Sequence, residues 1–149
     1  MEYLYDPVRN CKVLAYPEEI VRQRLLSEMI NHLQYPKTML GVEREIESLP
    51  HLTGKSISAQ KRRIDLICFA KGIHPDFSLY PLLVVECKAH SFSQKVIEQA
   101  VGYNYEIGAY FIAIANADMV KTLWYDQKQG KYCSVDYLPS YEQLLKAIR

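Results

Sequence analysis

No stretch of this chain is apolar for the roughly 20 residues that a membrane-spanning helix needs, and its first residues lack the charged-then-apolar layout of a signal peptide. A membrane role is therefore not expected, and the chain reads as cytoplasmic. No C-x-x-C pair occurs either: Cys11, Cys68, Cys87 and Cys133 are scattered, and the four histidines show no ligand spacing. A zinc site or a disulfide framework is thus disfavoured, and Cys68 and Cys87, set inside apolar runs, read as reduced buried thiols. A net charge of only +1 gives no global basic field. Contact with nucleic acid would have to rest on local patches or on a partner. Repeats, low-complexity segments and linkers are absent, so residues 1–149 are expected to form a single domain.

The elements that are present alternate in type. Residues 1–16, with Tyr3, Tyr5 and Tyr16, suggest a short strand or extended arm. Pro17-Glu18-Glu19 opens a helix, because proline suits the first helical position and acids suit the positive end of the dipole. The helix should run to about 33–34, before Pro36, with Val21, Leu25, Leu26, Met29, Ile30 and Leu33 on one arc interrupted only by Arg22. Val42 to Ser48 alternates as a polar edge strand. Two apolar strands follow, Ile64 to Phe69 and Leu82 to Lys88, separated by a long turn-rich loop over 71–81. A helix over 93–107 and a strand over 110–115 complete a βαβ unit, which requires the two flanking strands to be parallel. Leu123–Tyr125 and Tyr132–Val135 read as a hairpin, and Ser140-x-x-Gln143 reads as a capping box opening a helix over Tyr141–Ile148. The fold class is α/β, a mixed sheet flanked by helices: an αβββαβ core with a C-terminal hairpin and helix.

Charge inside the two apolar strands is the feature that needs a cause. Glu86 and Lys88 are two apart and so share one face of their strand, the face that Leu82 and Val84 should also take. Asp65 is the lone charge in the preceding strand, and a hairpin pairing would set it beside them. Buried charges are costly unless paired or metal-bound. Asp65 and Glu86 suit Mg²⁺, with Mn²⁺ as a substitute, and the backbone carbonyl of Cys87 is placed to add a third oxygen. Lys88 would then hold a water or neutralise charge on a phosphorus, which points to phosphodiester hydrolysis. Lys61, Arg62 and Arg63 are the basic cluster nearest the acids and suit phosphate contact.

Ile64-Asp65 followed by Glu86-Cys87-Lys88 resembles the PD-(D/E)xK nuclease motif, with isoleucine in place of proline. The ordered set is most similar to the N-terminal nuclease domain of type I restriction enzyme R subunits. It comprises Arg63-Ile64-Asp65, then Val85 to Ala89, Gln99-x-x-x-Tyr103, and Ala115-Asn116-Ala117 as a T-N-G-like segment, over roughly residues 17–126. The resemblance implies a restriction-endonuclease-like fold, Mg²⁺-dependent cleavage of DNA, and Gln99 acting near the site on a phosphate or on Lys88. It also implies a place for Tyr103 beside the nucleic acid, and an acid on the first helix that Glu28 would match as a further metal ligand. No helicase motor follows in this chain, so a separate motor or specificity subunit, or a homodimer, is the partner it implies.

Each of these residues has a plainer reading. Glu86 and Lys88 are also a structural ion pair at a strand end, Glu28 and Gln99 solvated helix residues, Tyr103 a core aromatic, and 61–63 a solvated loop. The contrasting function is a non-catalytic DNA-binding or assembly module that keeps the fold, and RNA stays open as a substrate beside DNA.

Overall fold

The computed structural model describes residues 2–54 and 62–149. The chain begins with a hairpin of two antiparallel strands, β1 (Tyr3–Asp6) and β2 (Cys11–Leu14), where an arm or single strand was expected. Asp6 closes its turn by accepting the N–H groups of Val8 and Arg9, both at 2.8 Å. Asn10 takes the left-handed φ of 55° that asparagine tolerates.

Helix α1 (Pro17–Asn31) has proline in its first turn beside Glu18 and Glu19, as predicted. It stops slightly earlier than the apolar pattern suggests. The N–H groups of His32 and Leu33 both donate to Glu28 O, and Gln34 turns the chain away at φ 59°. Strand β3 (Leu40–Glu45) lies at the sheet edge, and a single 3₁₀ turn over Ile46–Ser48 takes the place of its expected last residues. β4 (Arg63–Lys71) and β5 (Leu79–Cys87) are longer than predicted, which narrows the loop between them to 72–78. Helix α2 (Gln94–Ile107), β6 (Phe111–Ala115), β7 (Val120–Asp126), β8 (Lys131–Val135) and α3 (Tyr141–Ile148) follow. Both bonds of the Ser140–Gln143 capping box are present.

The main sheet has six strands in the order β3-β4-β5-β6-β7-β8. Its β5–β6 pair is parallel, as the βαβ crossover requires, and its other pairs are antiparallel. Apolar side chains bury both sheet faces. Val21, Leu25, Leu26 and Met29 of α1 and Leu144 of α3 pack with Leu66, Cys68, Val85, Cys87 and Ala113. Ala100 and Ile107 of α2 pack with Ile67, Phe69, Val84, Ile112 and Ile114. Leu82 joins the first cluster and Val84 the second, so they do not share a side as simple alternation predicts. A register shift in the β4–β5 pair at Cys68/Phe69 interrupts the alternation there.

Candidate metal and phosphate site

The site forms where β4 and β5 part company. Their paired register runs from Lys71–Leu79 to Leu66–Val85. One step further, the N–H of Cys87 donates to the side chain of Asp65, Oδ2, at 2.8 Å. The carboxylate thus stands where a backbone carbonyl would continue the ladder. On its other side β5 stays clamped to β6: Cys87 pairs with Ala115, and the Lys88 N–H donates to Ala115 O at 2.8 Å. Asn116 extends that clamp. Its Oδ1 accepts the N–H groups of Asp118 and Met119, and its Nδ2 donates to His90 O at 3.3 Å, fixing the turn after Lys88.

Asp65, Glu86 and Lys88 are therefore brought together. Burial pushes the Glu86 carboxyl up to about 7, and the Asp65 charge beside it pushes the same way, while Arg62 and Lys88 pull it down. Asp65 is also raised, again chiefly by burial. The Cys87 N–H and the charges of Arg22 and Lys88 offset part of this. Both acids are thus raised by burial despite the positive charges near them. Lys88 is half-buried, and its charge bears on both of them.

The first-helix acid whose charge bears on both carboxylates is Glu18, at the exposed start of α1. Glu28 lies about 15 Å further along the helix than Glu18 at 1.5 Å per residue, exposed, and lines a hollow with Arg24, Ala115, Asn116 and Ala117. A helical wheel fixes which face a residue takes, but not which end of the helix lies over the strand ends.

Arg22 is the residue the sequence reading left without a role. It is buried, with 6% of its surface exposed. Its Nε and Nη2 grip both oxygens of Glu19 at 2.8 and 2.6 Å, Nη2 also meets Glu43 Oε1 at 3.0 Å, and Nη1 stands 3.6 Å from Asp65 Oδ1. Burial alone would disfavour its charge, but the bonds to Glu19 and Glu43 more than offset this and hold it protonated. Glu43 reaches it from a left-handed backbone at φ 51°, a strained conformation for glutamate. A charge breaking an apolar helix arc was the available signal, of the same kind that singled out Asp65 and Glu86.

The remaining predicted residues divide. Arg62 lays its guanidinium on the face of the Tyr103 ring, and both line a small hollow with Glu86, Ile64 and Val84. Arg63 is exposed and turned to β3, 3.5 Å from Glu43 and 3.7 Å from Glu45, so its charge is partly matched within the protein. Gln99 lies one turn before Tyr103, exposed, and among the described residues it makes no side-chain hydrogen bond, to Lys88 or to any other group. Lys61 lies outside the described residues.

Among the described residues no three histidine, cysteine, aspartate or glutamate side chains converge as a metal-binding group. The donors at the strand ends are two carboxylates with a backbone carbonyl between them. That hard-oxygen set suits Mg²⁺, which keeps several waters and takes only one or two carboxylates, and does not suit zinc. The raised Asp65 and Glu86 carboxyls, with the Asp65 charge itself helping to raise Glu86, are the observation that fits a divalent cation there. Among the described residues no helix is long and apolar enough to cross a membrane.

A family model described as the type I restriction enzyme R protein N terminus (HSDR_N) matches residues 17–139. Neither the curated proteins nor the solved structures yield a match.

Proposed function

The chain belongs to the family of type I restriction enzyme R protein N termini, and on that premise we propose that it is a Mg²⁺-dependent endonuclease of PD-(D/E)xK type, hydrolysing DNA phosphodiester bonds. The observation that carries the proposal is the Asp65–Cys87 hydrogen bond, which sets two raised carboxyls, Asp65 and Glu86, and Lys88 at the ends of adjacent strands. A structural ion pair needs one acid and one base; here two half-buried acids, Asp65 and Glu86, stand beside Lys88 and both remain raised.

Asp65, Glu86 and the Cys87 carbonyl would hold the ion, with Mn²⁺ as an effective substitute. Mg²⁺ so held supplies Lewis-acid polarisation of the phosphoryl group. Lys88 donates from its ammonium to a phosphate oxygen or to the attacking water, matching charge as it grows on phosphorus. The Arg62 guanidinium, steadied on Tyr103, contacts a neighbouring phosphate; Lys61 and Arg63 add charge along the same backbone, and Gln99 is within the same helix face to meet it. With so small a net charge, binding is completed by a partner, either a separate motor or specificity subunit or a second copy of this chain. The role is restriction or DNA repair.

The test is plasmid cleavage by the purified protein with Mg²⁺, with Mn²⁺ and with EDTA, alongside Glu86→Ala and Lys88→Ala. Nicking or cutting that needs the metal and is lost in both folded variants supports the reading. Equal activity in wild type and variants would trace the cleavage to a contaminant. A binding or assembly module would instead retard duplex DNA without cutting it, and Glu86→Ala would leave that retardation unchanged.

A further inference from the structure

We infer that Arg22 is a built-in cation standing where a second metal ion would stand, so that the site takes one divalent ion per chain. The inference rests on the metal-site reading above and adds to it the number of ions and the residue that sets it.

The geometry around Asp65 carries the argument. Two ions about 3.5–4 Å apart must share a ligand, and Asp65 is the carboxylate in position to be shared. Both of its oxygens already face a positive partner. Oδ2 accepts the Cys87 N–H at 2.8 Å, and Oδ1 has Arg22 Nη1 at 3.6 Å. The second distance is too long for a hydrogen bond. Arg22 therefore does not use up the lone pairs of Oδ1; it places a unit charge just beyond them. An ion held by Asp65 and Glu86 can use the open direction. A second ion on the Arg22 side would have to stand against a guanidinium.

That guanidinium cannot swing aside. Glu19 holds it through both oxygens, and Glu43 holds it from the opposite strand at 3.0 Å. Glu19 is itself fixed by Arg9 at 3.0 Å and by Gln23 at 3.2 Å. Arg9 and Gln23 both bind the fully buried Asp6 at 2.8 Å. Arg22 therefore has an anchored place independent of Asp65, as a permanent cation requires. A purely structural arginine would need only Glu19. Glu43 reaches the same group from an unfavourable backbone conformation, which concentrates Glu43, Asp65 and Arg22 at one point.

Counting Mn²⁺ bound to the full-length protein by electron paramagnetic resonance tests this without reference to cleavage. Wild type is expected to bind one Mn²⁺, and Arg22→Met two, since Glu43 and Asp65 then face each other with no cation between them. Arg22→Lys, which keeps the charge, should return the count to one. Because a buried Glu19 left with Arg9 as its one arginine could prevent Arg22→Met from folding, the double variant Arg22→Met/Glu19→Gln removes both charges together and is also expected to bind two. Two ions in wild type overturn the inference whether or not any variant folds. A folded Arg22→Met or double variant that binds one ion overturns it as well. No Mn²⁺ bound to wild type overturns the metal reading itself, an outcome distinct from a count of two.

Discussion

Asp65 and Cys87 are joined by a hydrogen bond in which a side chain takes the part of a strand: the Cys87 N–H, at the end of β5, donates to Asp65 Oδ2 at 2.8 Å. The bond places a carboxylate at a fixed point beside Glu86 and at the same time satisfies the amide of the buried Cys87. Its two duties can be separated. Asparagine keeps an acceptor for the Cys87 N–H but loses the charge, whereas alanine loses both. Asp65→Asn should lie within about 0.5 kcal/mol of wild type in urea denaturation, and Asp65→Ala should cost about 1–3 kcal/mol, the penalty for an orphaned buried donor. Both should abolish cleavage. Equal destabilisation by the two variants would show that the hydrogen bond is not the source.

Glu86 gives a pH dependence whose sign is opposite to the usual carboxylate. Its folded value of about 7 lies above the reference value of 4.5, so between them the folded chain binds more protons than the unfolded one. Stability without metal should therefore fall as pH rises from about 4.5 to about 7, and level off above that. At about 1.4 kcal/mol per unit the span is at most about 3.5 kcal/mol. Urea midpoints at pH 5 and pH 8 in EDTA measure it. Glu86→Gln should flatten the difference, and added Mg²⁺ should raise the wild-type midpoint at pH 8 while leaving Glu86→Gln unmoved. A wild-type profile identical to that of Glu86→Gln would contradict the shift.

The stacked pair Arg62–Tyr103 is the basic contact the structure places at the rim of the acids. If Arg62 meets a phosphate, Arg62→Ala should weaken duplex binding and reduce the slope of log affinity against log salt by about 1. Tyr103→Leu should weaken binding less, and without changing the slope, because it removes a platform and no charge. Fluorescence anisotropy across a salt series separates the two. An unchanged slope in Arg62→Ala would move the phosphate contact elsewhere.

Gly108 ends α2, the helix that carries Gln99 and Tyr103, in the left-handed region at φ 77°. A Cβ there would stand 2.6 Å from the hydroxyl oxygen of Tyr80, which itself donates to Gly108 O at 2.6 Å. Gly108→Ala combines backbone strain with a clash and should cost about 1–3 kcal/mol. In a Tyr80→Phe background, where the clashing oxygen is gone, the cost should be smaller. Equal costs in both backgrounds, read from thermal or urea unfolding, would leave strain alone as the cause.

What was legible in the sequence was charge out of place. Asp65 and Glu86 interrupt runs that are otherwise apolar, and the βαβ spacing required β5 and β6 to be parallel, so the strand ends that hold the acids followed from pattern alone. Arg22 interrupts an apolar arc in the same way, yet its partners Glu19, Glu43 and Asp65 come from three separate elements that only the tertiary fold brings together. Glu18 and Glu28 were indistinguishable for a related reason: both are exposed acids on α1, and only the axial placement of the helix over the sheet decides between them. The hairpin at residues 3–14 was obscured because its strands carry little burial. Its closing signal is an aspartate turn, not an apolar alternation.

That hairpin bears on where the functional unit begins. Family similarity starts at Pro17, but the chain of opposite charges that ends at Asp65 starts at the fully buried Asp6 and passes through Arg9, Glu19 and Arg22. A chain cut where the similarity begins would retain every recognisable motif and lose the far end of this relay. Glu19 would be left with one arginine in place of two, and Gln23 without its aspartate. The edge of a homologous region and the edge of a self-sufficient electrostatic unit are here eleven residues apart, and electrostatics, not homology, marks where this fold can be shortened.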